Sequence, residues 1–203
     1  MKALAAPKRV LLIALGVVMI LSAFAGYAQD LGPPIPSPSA TEVEEAAGGV
    51  VGAALDMGNV WAGLIADGIH VSEVSIGVAL RAKRGPGRIF LVTDAMSPTG
   101  TDAESFELTG QTVYRKNGAL RLADGTLAGA DLTMIQAVAY VHRTLGLPLE
   151  ETLRMASLYP AQALGVAHER GALKPGLRAD LVHLSDEFQV RGTLIGGETA
   201  FAA

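Results

Sequence analysis

Apolar and polar residues change period several times along this chain, and each change predicts an element. The longest uninterrupted apolar run, VLLIALGVVMILSAFAGYA, occupies residues 10–28 and carries no charge. A shorter run, Trp61-Ala62-Gly63-Leu64-Ile65-Ala66, stops at Asp67-Gly68 and reads as a buried strand. Ser72 can cap a helix that continues through Ala82, with Val74, Val78 and Ala79 on one side and Gly85-Pro86-Gly87 as its stop. Ile89 to Thr93 predicts a second buried strand. Residues 105–125 alternate as a β-excursion, and Asn117-Gly118 between Thr112-Val113-Tyr114 and Leu120-Arg121-Leu122 signals a tight hairpin. A helix follows over about residues 131–145, with Leu132, Ile135, Val138, Ala139 and His142 near one face and Gly146 and Pro148 closing it. Pro148 can open a further helix over Leu149–Leu158, and a short one follows at Ala161–Leu164. The last segment returns to β, with turns at Pro175-Gly176 and Gly196-Gly197. Two strand-helix units in this order predict an α/β fold with a parallel sheet under helical cover.

Composition changes the picture at the N-terminus. Lys2, Lys8 and Arg9 precede the uncharged run, and Gly26-Tyr27-Ala28 ends it with small residues. That order predicts a signal peptide or membrane anchor over residues 1–28, and therefore export or tethering. Pro33, Pro34, Pro36 and Pro38 then oppose both helix and central strand, so residues 29–47 read as a linker and the globular part spans 48–203. The net charge of −4, with no basic runs, excludes a nucleic-acid-binding face. With no cysteine, the chain has no thiolate nucleophile, disulfide framework or Cys zinc site.

Two predicted strands end on groups able to move protons: Asp67-Gly68-Ile69-His70 and Thr93-Asp94. If the strands are neighbours, His70 and Asp94 meet in one crevice at their C-terminal ends, where α/β enzymes place their sites. The competing readings are a turn or cap role for Asp94 and a satisfied structural histidine for His70. Gly125-Thr126-Leu127-Ala128-Gly129 precedes a helix and has small residues that permit a ligand's close approach; a plain loop is the alternative. His142, His168 and His183 are scattered and form no metal-binding pattern, and the serines lack a nucleophile-elbow setting.

Eight stretches in order carry a resemblance: GVVGAALD, WAGLIADGIHV, ALRAKRG, FLVTDAMSPTG, GQTVYRKNG, DGTLAGADLTM, LRMASLYPAQALGV and GALKPGLRADLV. Together they resemble the N-acetylglucosamine-6-phosphate deacetylases of the amidohydrolase superfamily. The resemblance implies a (β/α)₈ barrel with a small β-sandwich built from both chain ends. It implies hydrolysis of the acetamide of an amino-sugar phosphate in amino-sugar catabolism, giving glucosamine 6-phosphate and acetate, with a divalent metal such as zinc. By the same resemblance Asp94 is the catalytic acid-base, taking a proton from the hydrolytic water and returning one to the leaving amine. His70 polarises the acetyl carbonyl. Asp67, Gly68, Ile69 and His70, with Leu127, Ala128 and Gly129, line the substrate site.

The matched part is the C-terminal portion of that family's chain, and the family's metal ligands and phosphate-binding segment lie upstream of it. A full barrel takes roughly 250 residues, so the expected fold is an incomplete (β/α)₈ barrel, its last strand-helix units, plus part of the C-terminal β-sandwich. Family members are cytoplasmic and homo-oligomeric, in tension with an export segment. Three functions follow as alternatives. The chain is a deacetylase active with a partner chain that supplies the missing half; it is an inactive truncated or fused remnant or amino-sugar-binding module; or it is a secreted or membrane-tethered interaction domain.

Overall fold

The computed structural model of the chain describes residues 10–14, 17–18 and 49–203. The predicted linker at 29–47 lies outside the described residues. So does the predicted export segment, apart from two short strands, β1 (Val10–Ala14) and β2 (Val17–Val18). Among the described residues no helix is long and apolar enough to cross a membrane.

A four-stranded sheet organises the first half. Its order is β2-β1-β3-β4, where β3 is Trp61–Ile65 and β4 is Ile89–Val92. Strands β3 and β4 run parallel with Ala62 opposite Ile89 and Ile65 opposite Val92. Strand β1 lies parallel to the other edge of β3, and β2 turns back antiparallel on β1. All five residues of β3 are buried, which explains its unbroken apolar sequence: a parallel strand covered on both faces has no polar side to show.

Helices cover this sheet. Helix α1 (Gly49–Asp56), which hydrophobic patterning did not single out, packs on β3 and on α2 (Glu73–Ala82). Helices α3 (Met134–Arg143), α4 (Leu149–Ala156) and α5 (Leu158–Ala163) pack on β4. The core between them is built on Leu64, Ile76, Leu91, Val138, Val141 and Met155. Thr152 is the buried polar residue of this core, and its hydroxyl is satisfied by donating to the Leu149 carbonyl at 2.8 Å.

The helix faces differ from the sequence expectation. In α2 the inward residues are Ile76 and Ala79, while Val74 and Val78 are 75% and 50% exposed. Both sets satisfy a helical repeat, and only the position of the sheet decides between them. In α3 the buried residues are Ala137, Val138 and Val141; of the expected face, Leu132 and Val138 are buried and Ile135 packs against the core.

Two antiparallel sheets complete the fold. Strands β5 (Ser105–Leu108), β6 (Gln111–Lys116), β7 (Ala119–Arg121) and β8 (Leu127–Ala130) form a meander in that order. The predicted hairpin is there: Asn117 and Gly118 both have positive φ, as a type I′ turn requires. The C-terminal sheet has the order β11-β10-β9, made of β9 (Leu181–Leu184), β10 (Val190–Ile195) and β11 (Glu198–Ala202). The predicted Gly196-Gly197 turn joins its last two strands.

Candidate active site

The parallel pairing of β3 with β4 sends both chain segments out of the sheet at the same end. Asp67–His70 leaves β3 and Thr93–Asp94 leaves β4. The condition set by the sequence, that the two strands be neighbours, is therefore met.

Asp67 is spent locally. Its Oδ1 accepts the backbone N–H groups of Ile69 at 2.8 Å and His70 at 2.9 Å, which folds the DGIH turn over its own carboxylate. Its Oδ2 lies 2.6 Å from Nδ1 of His70, and the two side chains are only 3% and 5% exposed. Asp67 thus orients the His70 ring. With Nδ1 engaged by the carboxylate, Nε2 is the ring nitrogen left to act. Gly68 is required in this turn: its φ is +73°, and a Cβ there would stand 2.7 Å from the hydroxyl of Tyr140. Tyr140, on α3, thereby fixes the turn from behind, a contact that no motif in the sequence marks.

Asp94 sits at φ 52°, the left-handed region that non-glycine residues seldom occupy. Three contacts hold it there. Its carbonyl accepts the Ala130 N–H at 3.0 Å, a parallel bridge pairs Ala95 with Ala130, and the Ala95 N–H donates to Thr93 Oγ1 at 3.3 Å. So β8 runs along the Asp94 segment, and Leu127, Ala128 and Gly129 belong to a strand rather than to a loop at a helix N-terminus. Gly129 allows this close approach, because a Cβ would fall 2.5 Å from Met96 Sδ and 3.4 Å from the Asp94 carbonyl. Further along the same segment, Arg115 donates to the carbonyls of Pro98 and, at 2.7 Å, Thr101, and pairs with Asp131 at 2.7 Å. At the tip of the β6–β7 hairpin, Gly118 comes close to Ile69; a Cβ there would lie 3.7 Å from Ile69 Cδ1.

The three titratable groups push one another's proton affinities apart. Burial raises the Asp67 carboxyl, but hydrogen bonds from the His70 ring and two backbone amides, with the charge of His70, outweigh it and hold the group below the ordinary value of 3.8. His70 is raised above 6.5, first by its hydrogen bond to Asp67 and then, against burial, by the charges of Asp67 and Asp94; the charge of Arg121 opposes the rise. Asp94 is raised above 3.8 by burial and by the nearby Asp67 charge, partly offset by His70. A carboxyl with raised proton affinity beside an oriented imidazole is equipped to accept and return a proton.

The other histidines take no part. His142 Nδ1 bonds the Leu147 carbonyl at 2.7 Å and its ring packs on Phe188, and His168 bonds the Gly165 carbonyl at 3.1 Å.

Comparison with known proteins decides the family. A sequence profile described as the Amidohydrolase family matches residues 39–200. This chain belongs to the amidohydrolase family. The N-acetylglucosamine-6-phosphate deacetylase of Haemophilus influenzae is 35% identical over 152 residues, covering 74% of this chain and 39% of that protein. A short Escherichia coli K12 chain, provisionally named N-acetylgalactosamine-6-phosphate deacetylase, is 38% identical over 152 residues, covering 75% of this chain and 90% of its own length. The crystal structure of N-acetylglucosamine-6-phosphate deacetylase from Pasteurella multocida superposes with a TM-score of 0.70 at 41% identity, over 74% of this chain and 39% of that one. The α/β fold therefore matches solved deacetylase structures, and the chain spans about two fifths of the length of such full-length relatives.

Amidohydrolases generally use a divalent metal, and the donor groups of this site do not suit one. Asp67 has both oxygens occupied, His70 keeps one free nitrogen, and Asp94 is a single carboxyl. Among the described residues no group of three or more His, Cys, Asp or Glu side chains could hold a metal ion.

Proposed function

We propose that this chain carries the proton-transfer half of an amino-sugar-phosphate deacetylase, on the last strand-helix units of an incomplete (β/α)₈ barrel with part of the C-terminal β-sandwich. The observation that supports this most is the arrangement of Asp94, with raised proton affinity, facing the Asp67-oriented His70 across the ends of two parallel strands. Amide hydrolysis needs a polarised carbonyl, a deprotonated water and a proton for the departing nitrogen. With Nδ1–H held by Asp67, His70 donates from Nε2 to the acetyl oxygen in its protonated form, which the Asp67 hydrogen bond favours. Asp94 accepts the proton of the attacking water and returns it to the amine. Leu127–Gly129, on the strand beside Asp94, presents backbone to the sugar. A lone water stays near its bulk pKa of about 15.7 unless something further acidifies it, and the donor set here does not do so. The chain by itself is therefore expected to turn over very slowly or not at all, and to act with a second chain that brings the complementary barrel strands and metal ligands.

The test is acetate release from N-acetylglucosamine 6-phosphate and from its galactosamine epimer, with zinc added and bound metal measured per chain. The expected result is no turnover by the chain alone and turnover on mixing with a complementary half, abolished by Asp94→Asn. Turnover by the chain alone with one metal bound would overturn the donor-set argument. Binding of the sugar phosphate with no turnover in either arrangement would favour an amino-sugar-binding module.

A further inference from the structure

The uncharged run at residues 10–28 has the composition of an export segment, but the same composition is what a strand buried in a parallel sheet demands. Strand β3 has β4 on one side and, in this structure, β1 on the other. The pairing is in register over Val10–Trp61, Leu11–Ala62 and Leu12–Gly63. Without β1, the backbone N–H and C=O groups on that edge of a fully buried strand would have no ladder partner. We infer that the edge of β3 is a strand-docking surface and that its occupant is this chain's own segment Val10–Ala14, so that the apolar run ends in the domain's sheet rather than in a membrane or on a second molecule. The inference rests on backbone pairing alone; a second chain that completes the barrel along β3 would have to displace β1 from this edge.

The absence of native cysteine makes the test direct. In the full chain, Leu11→Cys with Ala62→Cys places two thiols on adjacent strands, within the Cα separation a disulfide accepts. Leu11→Cys with Ile89→Cys, the residue opposite Ala62 on β4, spans two strand spacings, about 10 Å, and serves as the control. Oxidation at low protein concentration is expected to give an intrachain disulfide in the first pair and none in the second. Residue-resolved hydrogen exchange on the unsubstituted chain provides a second reading. Alternate amides of a parallel strand point to opposite neighbours, and the Ala62 amide points to the β4 side, so docking predicts protection of the Trp61 and Gly63 amides as well. An interchain disulfide would hand the edge to a second copy and overturn the inference. So would a mature N-terminus beyond residue 28, or freely exchanging Trp61 and Gly63 amides beside a protected Ala62.

Discussion

At the scale of single residues, the site depends on who neutralises whom. Asp67 and Asp94 stand in similar sequence contexts, each directly after an apolar strand, and the sequence names both as site residues. The structure separates them: Asp67 is saturated by its own turn, while Asp94 is left with a raised proton affinity. That difference was not legible beforehand, because it depends on the i,i+3 return of His70 onto Asp67 and on burial from β8. It has a measurable consequence. By imidazole NMR, His70 should titrate above 6.5, and Asp67→Asn should lower its pKa more than Asp94→Asn does, because the hydrogen bond to Asp67 outranks the Asp94 charge. Equal or reversed shifts would contradict the pairing. The sign for stability follows. The raised His70 contributes fully below 6.5 and loses its contribution as pH rises through its folded value. The lowered Asp67 contributes above 3.8 and loses its contribution as pH falls through its folded value. The Asp67–His70 pair is therefore strongest in the mildly acidic range between those limits.

At the scale of elements, caps and turns were read from sequence more faithfully than faces. Ser72 caps α2 by accepting the Ser75 N–H at 3.2 Å, and Asn117-Gly118 makes its hairpin, because both signals are local. Helix faces are decided by distant partners, and so the side grouped as Val74, Val78 and Ala79 splits, with Ala79 buried and both valines facing outward. Helix α3 starts at Met134 rather than near residue 131 for a local reason: Thr133 is its N-cap. Its hydroxyl accepts the Gln136 N–H at 3.4 Å, and Gln136 Oε1 accepts the Thr133 N–H at 2.8 Å, a reciprocal capping box. Thr133→Ala should cost about 1 kcal/mol of stability in denaturant unfolding. The helix carries Tyr140 behind Gly68, so the same substitution should also loosen the DGIH turn; an unchanged unfolding midpoint would remove the cap from that account.

Across the whole molecule, order and class were legible, while the exposed apolar surface was not. Strand-helix alternation pointed to α/β, and comparison with solved deacetylases bears that out. What the sequence could not show is how much apolar surface remains uncovered. Val182, Thr193 and Phe201 align across the three strands of the C-terminal sheet, and Val182 and Phe201 are 57% and 48% exposed. Rows of this kind on a free sheet face drive association. Sedimentation should show concentration-dependent self-association that weakens when Val182→Thr and Phe201→Thr are combined; a monomer at all concentrations would refute this. The meander β5–β8 has a different reach. Its hairpin tip approaches Ile69, and its last strand is bonded to Asp94, so one excursion grips both halves of the site. A screen for loss of function would accordingly return substitutions between residues 111 and 130 alongside those at Asp94 and His70. Such hits would trace the strut that holds the reacting groups in place, not the groups themselves.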